Sequence, residues 1–297
     1  MNEKQFFSRI GFSYFAYGIS IILAIMIISA IISFIPGITL NANEVSILNS
    51  ICNYIIPIPV ILLFLKQLDK SKIEKKRMSV KQYIFAAIIA VTIMWVGNIF
   101  GLTITGLISS FMPHPVVNPV DNIINAPQVW FNILIVTILA PIFEELFFRK
   151  LLIDRTIKYG EIVSVLVSAV LFGLFHGNLN QFFYAFLIGG FFAIIYIKTG
   201  NILYTMSLHL IINFVGAVVP IIVNTKLSNL LADIGFTNIT VFIIFIILIT
   251  ISFIIYIRYD ESFELEKSKI PLKTAFINPG MILFIVYEII MIIFNTV

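Results

Sequence analysis

Charge is what this chain has least of. Asp, Glu, Lys and Arg make up 11% of its 297 residues, against a hydrophobic share of 60%. Soluble domains carry about 25% charged residues, so a large water-facing surface is excluded. A mean hydropathy of +1.06 fits a polytopic membrane protein instead. The polar stretches are short and leave no room for a sizeable soluble domain. Cysteine is almost missing as well. Cys52 is the only one, which excludes an intramolecular disulfide and a cysteine-built metal site. It lies in an apolar run and reads as a small buried hydrophobe. The net charge of +4 gives no reason to expect a nucleic-acid partner, because basic residues in a membrane protein report topology first.

What the chain has is apolar runs. A spanning helix needs about 20 mostly apolar residues. Candidates fall near 11–35, 46–65, 82–111, 129–150, 161–178, 181–198, 202–223, 238–257 and 275–295. The first follows Lys4 and Arg9, is too long for a signal-peptide core, and reads as a retained span. The ninth is the least secure, with Pro279 and Gly280 near its start and Glu288 inside. The expectation is therefore an all-α bundle of about nine transmembrane helices, with eight as the alternative.

The basic residues test this count. With the N-terminus inside and strict alternation, the inner segments hold Lys4 and Arg9, then Lys66, Lys70, Lys72, Lys75, Lys76, Arg77 and Lys81. They also hold Arg149, Lys150, Arg155 and Lys158, then Lys198, and last Arg258, Lys267, Lys269 and Lys273. These are 18 of the 19 basic residues, and only Lys226 falls outside. The opposite orientation would place the same residues outside. The run from Lys66 to Lys81 is explained as a topology signal resting on anionic headgroups. Gly97 and Gly101 form a G-x-x-x-G pair suited to close helix packing. The outer stretch Met112 to Gln128, rich in proline, reads as an irregular crossing loop. The expected division is 1–128 as an N-terminal three-span region, 129–223 as a four-helix core, and 224–297 as a C-terminal two-span region.

Against this apolar background, a few polar residues stand where they are costly. Glu144 and Glu145 close the apolar run Val129 to Phe143, and Arg149 follows. An ionisable group near the bilayer centre costs about 2.5–3.5 kcal/mol on insertion scales. Residues four apart share a helix face, so Glu145 and Arg149 can pair, leaving Glu144 as the free acid. Three further motifs follow: Phe172-x-x-x-His176, Gly189-Gly190 in the sixth run, and His209-x-x-x-Asn213 in the seventh. His114, the remaining histidine, lies in the proline-rich loop and reads as incidental. Each motif alone has a bland explanation. An intramembrane His or Asn often only bonds a neighbouring helix, and a Glu–Arg pair can be structural. Together they supply a free carboxylate, two imidazoles and an amide.

A carboxylate and an imidazole can share a water and take its proton, while a second imidazole and an amide can donate to an oxyanion. That equipment suits hydrolysis of an acyl or peptide bond by water. No Gly-x-Ser-x-Gly nucleophile setting is present. Zinc is the other reading, with Glu144, His176 and His209 as ligands and an open position for water. The chain has no H-E-x-x-H motif to support it. On the residues alone, both a cofactor-free site and a zinc site stay open.

The order Glu144-Glu145-x-x-x-Arg149, Phe172-x-x-x-His176, His209-x-x-x-Asn213 resembles the CPBP family of intramembrane proteases. That group includes the type II CAAX prenyl endopeptidases and the Abi-like bacteriocin-immunity proteins. The resemblance covers roughly residues 129–223. It implies that Glu144 and His176 activate a water, that His209 and Asn213 stabilise the oxyanion, and that Glu145 and Arg149 hold the constellation. It also implies an endopeptidase in a cell membrane, bacterial by its look, acting on a peptide or membrane-protein substrate at the lipid bilayer. A non-catalytic peptide-binding or self-immunity protein is the alternative. A proton relay or transporter is a further rival, but it lacks support from matched halves. One difficulty is geometric. Simple alternation puts Glu144 near the inner end of the fourth span and His176 near the outer end of the fifth. They can meet only if span four runs on to about Arg155, or if span five is sunk or tilted.

Overall fold

The computed structural model describes residues 1–113, 116, 129–222, 246–247, 250–251, 254 and 264–296. Among these residues the structure is helical, with no strand. Among the described residues, six helices are long and apolar enough to cross a membrane: α1 (Glu3–Ser33), α2 (Ala42–Leu65), α3 (Val80–Ser109), α4 (Val129–Tyr159), α6 (Leu179–Thr199) and α9 (Pro279–Thr296). Two shorter apolar helices stand between them, α5 (Glu161–Phe175) and α7 (Ile202–Ile222). A one-turn piece, α8 (Leu272–Phe276), precedes α9. Eight of the nine expected spans are thus helices, and the eighth, near 238–257, lies mostly outside the described residues. His114 and Lys226 lie outside them too.

The helix starts follow capping chemistry. Asn2 with Gln5, Asn41 with Glu44 and Ser79 with Gln82 form capping boxes at the heads of α1, α2 and α3. Each satisfies two backbone donors that the first turn leaves open. Asn178 caps α6 by accepting from the Gln181 backbone N–H. Gly200 ends α6 in the left-handed region at φ 57°, a conformation glycine adopts without steric cost. The outward faces are apolar. On α1, Leu23, Met26, Ile27 and Ile31 are exposed, which suits contact with acyl chains.

The segments expected on one side of the membrane do meet at one end of the bundle. The Ser71 N–H donates to the Asp154 carbonyl at 2.6 Å, and Lys76 N–H to Thr199 carbonyl at 2.8 Å. Lys269 N–H donates to the Tyr159 carbonyl at 2.9 Å. Lys198 bridges Glu161 at 2.7 Å and the Glu264 carbonyl at 2.7 Å. A Cβ on Gly160, at φ 108°, would lie 2.5 Å from the Lys267 carbonyl oxygen. Gly280 donates to Ser8 at 3.0 Å, joining the heads of α1 and α9. At the other end, Asn295 donates to the Gly177 carbonyl at 2.7 Å, and Ser46 to Asn132 at 3.0 Å. One assignment is corrected. Arg149, Lys150, Arg155 and Lys158 are not in an inner loop, because α4 continues to Tyr159 rather than ending near 150. Arg149 sits within the span and is fully buried.

Helix α4 is the axis of the site, and its backbone is not uniform. It passes through wider π-helical turns at Ile135–Leu139 and Leu146–Leu151. Such turns release carbonyls from the regular ladder. In the first, Ala140 N–H reaches Ile135, and the next residue is Pro141, which has no N–H to give. The Val136 carbonyl is therefore left without its backbone donor, and Asn213 supplies one at 2.9 Å. In the second, Tyr14 donates to the Phe147 carbonyl at 2.7 Å and Ser168 to that of Phe148 at 2.9 Å. The released carbonyls tie α4 to α1, α5 and α7.

Candidate active site

The length of α4 resolves the geometric difficulty. Glu144 is the middle residue of its 31-residue run, about 22 Å from either end at 1.5 Å per residue. Helix α5 has only 15 residues, so it spans about 22 Å against a hydrocarbon core of about 30 Å. A helix of that length falls short of the core thickness, and it ends at His176. The condition on span four holds: it runs on past Arg155 to Tyr159.

Glu144, His176, His209 and Asn213 line one cavity of about 330 Å³. Glu144 comes from α4, His176 from the end of α5, and His209 and Asn213 from α7. Each histidine has one nitrogen committed. His176 Nδ1 lies 2.8 Å from the Phe172 carbonyl. That oxygen can only accept, so Nδ1 carries the proton and the neutral ring keeps its lone pair on Nε2. The same spacing that defines Phe172-x-x-x-His176 makes this bond possible, and the Phe172 ring also packs edge-on against His176, centroids 4.8 Å apart. His209 Nδ1 lies 2.9 Å from Glu145 Oε1, and its Nε2 is 3.7 Å from Glu144 Oε2. The second separation exceeds hydrogen-bond reach.

Glu145 and Arg149 form the buried support. Arg149 Nε is 3.2 Å from Glu145 Oε2, with both side chains fully buried. The guanidinium lies over the Phe172 ring at 4.5 Å and reaches Ser168 at 3.4 Å. The contact with Glu145 is an ion pair rather than an aligned hydrogen bond, since Arg149 Nε and Glu145 Oε2 lack hydrogen-bond partners among the described residues. Glu145 thus joins Arg149 on its own helix to His209 on α7. Gly189 lets α6 approach α5: a Cβ there would lie 3.1 Å from the Phe172 ring.

The donor set also bears on zinc. No group of three or more His, Cys, Asp or Glu side chains among the described residues is placed to hold a metal ion. His209 Nδ1 is held by Glu145 and His176 Nδ1 by a carbonyl, which leaves each Nε2 as the one ring nitrogen a metal could take, so it is the spacing of the three groups that decides. As placed, Glu144, His176 and His209 do not form a three-ligand zinc site.

Sequence reasoning missed part of the lining. Tyr54, Trp95, Asn98, Gln181 and Tyr184 also face the cavity. Tyr54 stacks on Phe143 at 5.5 Å. Aromatic residues in apolar runs look like packing, and nothing in the pattern distinguishes these. The polar sequence His176-Gly-Asn-Leu-Asn-Gln181 was the available signal, since it interrupts two apolar runs.

Together these features define a class: a multi-pass membrane protein whose bundle encloses an acid–imidazole cavity at mid-span. Residues 126–215 match the family described as type II CAAX prenyl endopeptidase Rce1-like. The matched segment is about a third of the chain and is consistent with the catalytic region of a CPBP intramembrane protease. No curated protein and no solved structure matches the chain.

Proposed function

We propose that this protein hydrolyses a peptide bond close to a membrane-embedded or lipid-anchored segment, using water activated by Glu144 and His176. The supporting observation is that one mid-span cavity is lined by Glu144, His176, His209 and Asn213. A water between the Glu144 carboxylate and His176 Nε2 gives up a proton as its oxygen attacks the scissile carbonyl. The C–N bond then breaks, and the retained proton passes to the leaving nitrogen. His209, its Nδ1 held by Glu145, turns Nε2 toward the oxyanion. Asn213 keeps one amide N–H on Val136 and has a second to offer the oxyanion. Glu145 and Arg149 act through the others, by fixing the His209 ring and the α4–α5 packing. The reaction written this way runs on the chain's own residues and a water.

The family match supports, as the substrate class, a peptide presented from the bilayer, including one carrying a prenyl anchor. The test is product analysis in proteoliposomes. Wild-type protein is incubated with a peptide ending in a prenylated Cys followed by two aliphatic residues and Met, and with unprenylated membrane-inserted peptides. Mass spectrometry should find cleaved products with wild type and none with His176→Ala. Peptide binding without products from either protein would support a non-catalytic peptide-binding protein instead.

A further inference from the structure

Asn213, expected to serve the oxyanion, has one of its two amide N–H groups taken by the Val136 carbonyl at 2.9 Å. A second donor stands in the same cavity. Tyr184, on α6, lines it together with Glu144, His176 and His209. We propose, resting on the proteolytic reading above, that Tyr184 is a further catalytic residue whose hydroxyl donates a hydrogen bond to the scissile carbonyl oxygen as it becomes an oxyanion.

The direction of the Tyr184 hydrogen bond carries the argument. Asn178 Nδ2 donates to the His176 carbonyl at 2.8 Å, while its Oδ1 accepts from the Gln181 backbone N–H at 2.9 Å. A carbonyl and an N–H fix which way that amide points. Asn178 Nδ2 also donates to Gln181 Oε1 at 2.6 Å, so Gln181 turns its Nε2 to the Tyr184 oxygen, 2.9 Å away. The Tyr184 hydroxyl is thereby an acceptor from Gln181, and its own proton is left for another partner. Among the described residues it donates to none.

The backbone holds this hydroxyl in place. A Cβ on Gly97 of α3 would lie 2.5 Å from Tyr184 Cα, and one on Gly101 would lie 2.5 Å from the Asn180 carbonyl oxygen. The G-x-x-x-G pair thus seats α3 directly on the turn that carries Asn178, Gln181 and Tyr184. The Tyr184 ring stands nearly perpendicular to His176, centroids 6.2 Å apart. A donor fixed in place before the reaction is what oxyanion stabilisation requires.

Tyr184→Phe keeps the ring and removes only the donor. On the prenylated peptide it should lower kcat about 100- to 1,000-fold and move KM less than about threefold, as for a contact made only in the transition state. Gln181→Glu is the second variant. Its carboxylate would accept the Tyr184 proton and turn the hydroxyl away from substrate, so kcat should fall about as far as with Tyr184→Phe. A wall residue that merely packs predicts wild-type kcat for Tyr184→Phe, or a change in KM alone, and either result overturns the assignment. Glu144→Gln is run beside them. If it is inactive while Tyr184→Phe cleaves like wild type, only the Tyr184 role falls. If Glu144→Gln cleaves too, or wild type cleaves neither the prenylated nor the unprenylated membrane peptides, the proteolytic reading falls and this role with it.

Discussion

Arg149→Met is the substitution whose outcome the structure specifies most closely. The guanidinium is fully buried and stands 3.2 Å from the Glu145 carboxylate, also fully buried. At an effective dielectric of about 20, two unit charges at that distance attract by about 5 kcal/mol. Desolvating both charges offsets much of this, so the intact pair adds little net stability. Removing one partner is another matter, because it strands a buried carboxylate at a cost of about 3–5 kcal/mol. Only His209, 2.9 Å from Glu145, would remain to face that charge. At about 2–3 °C per kcal/mol for a chain of this size, the unfolding temperature should drop by roughly 6–15 °C. The assay is thermal unfolding of purified protein in detergent, followed by intrinsic fluorescence. The double variant Glu145→Gln/Arg149→Met strands no charge and should unfold above Arg149→Met alone, a favourable coupling rather than an additive loss. Wild-type stability for Arg149→Met, or a double variant weaker than both single losses combined, would refute the reasoning.

Other substitutions probe the parts that position the site. Asn213→Leu leaves the Val136 carbonyl without its donor and should cost about 1–3 kcal/mol, read in the same unfolding assay; Asn213→Gln, longer by one methylene, should not recover the loss. Gly97→Ala forces α3 away from Tyr184, and overpacking of this kind costs about 1–3 kcal/mol. It should also reduce cleavage, whereas Gly106→Ala, where an added Cβ meets nothing within 4 Å, should do neither. For topology, a Cys52→Ala background carrying Lys70→Cys or Asn295→Cys should be labelled by a membrane-impermeant thiol reagent from opposite faces, Lys70→Cys from the inner one. Labelling of both from one face would break the alternation.

The helices were legible because their signal is long and repeated. Apolar runs of spanning length and the one-sided distribution of lysine and arginine each identified spans independently of any partner. The motif residues were legible because ionisable groups in such runs are costly, so Glu144, Glu145, Arg149, His176 and His209 stood out one by one. Their meeting was not legible. It depends on α4 continuing past Lys150 to Tyr159 and on α5 stopping at Phe175, and hydropathy does not fix a helix end where charged residues are buried by their neighbours. The π-helical turns were equally hidden, though Pro141 was in view. Its missing N–H helps leave the Val136 carbonyl open, and that carbonyl engages Asn213. The roles of Gln181 and Tyr184 rest on the direction of single hydrogen bonds, which no spacing rule encodes. Gly97 read correctly as a packing residue, but what it packs against, the Tyr184 backbone, required the fold.

The most direct test of the central claim is the cleavage rate of Glu144→Gln against wild type on the same membrane peptides, with the unfolding temperature recorded for both. Glu144 lines the cavity, its side chain is not fully buried, and among the described residues it makes no ion pair closer than the 3.7 Å approach of His209. The substitution therefore conserves shape and should leave stability nearly unchanged. If Glu144 takes the proton of the attacking water, the rate should fall about 10²- to 10⁴-fold. A Glu144→Gln protein that cleaves within a few-fold of wild type would contradict the account.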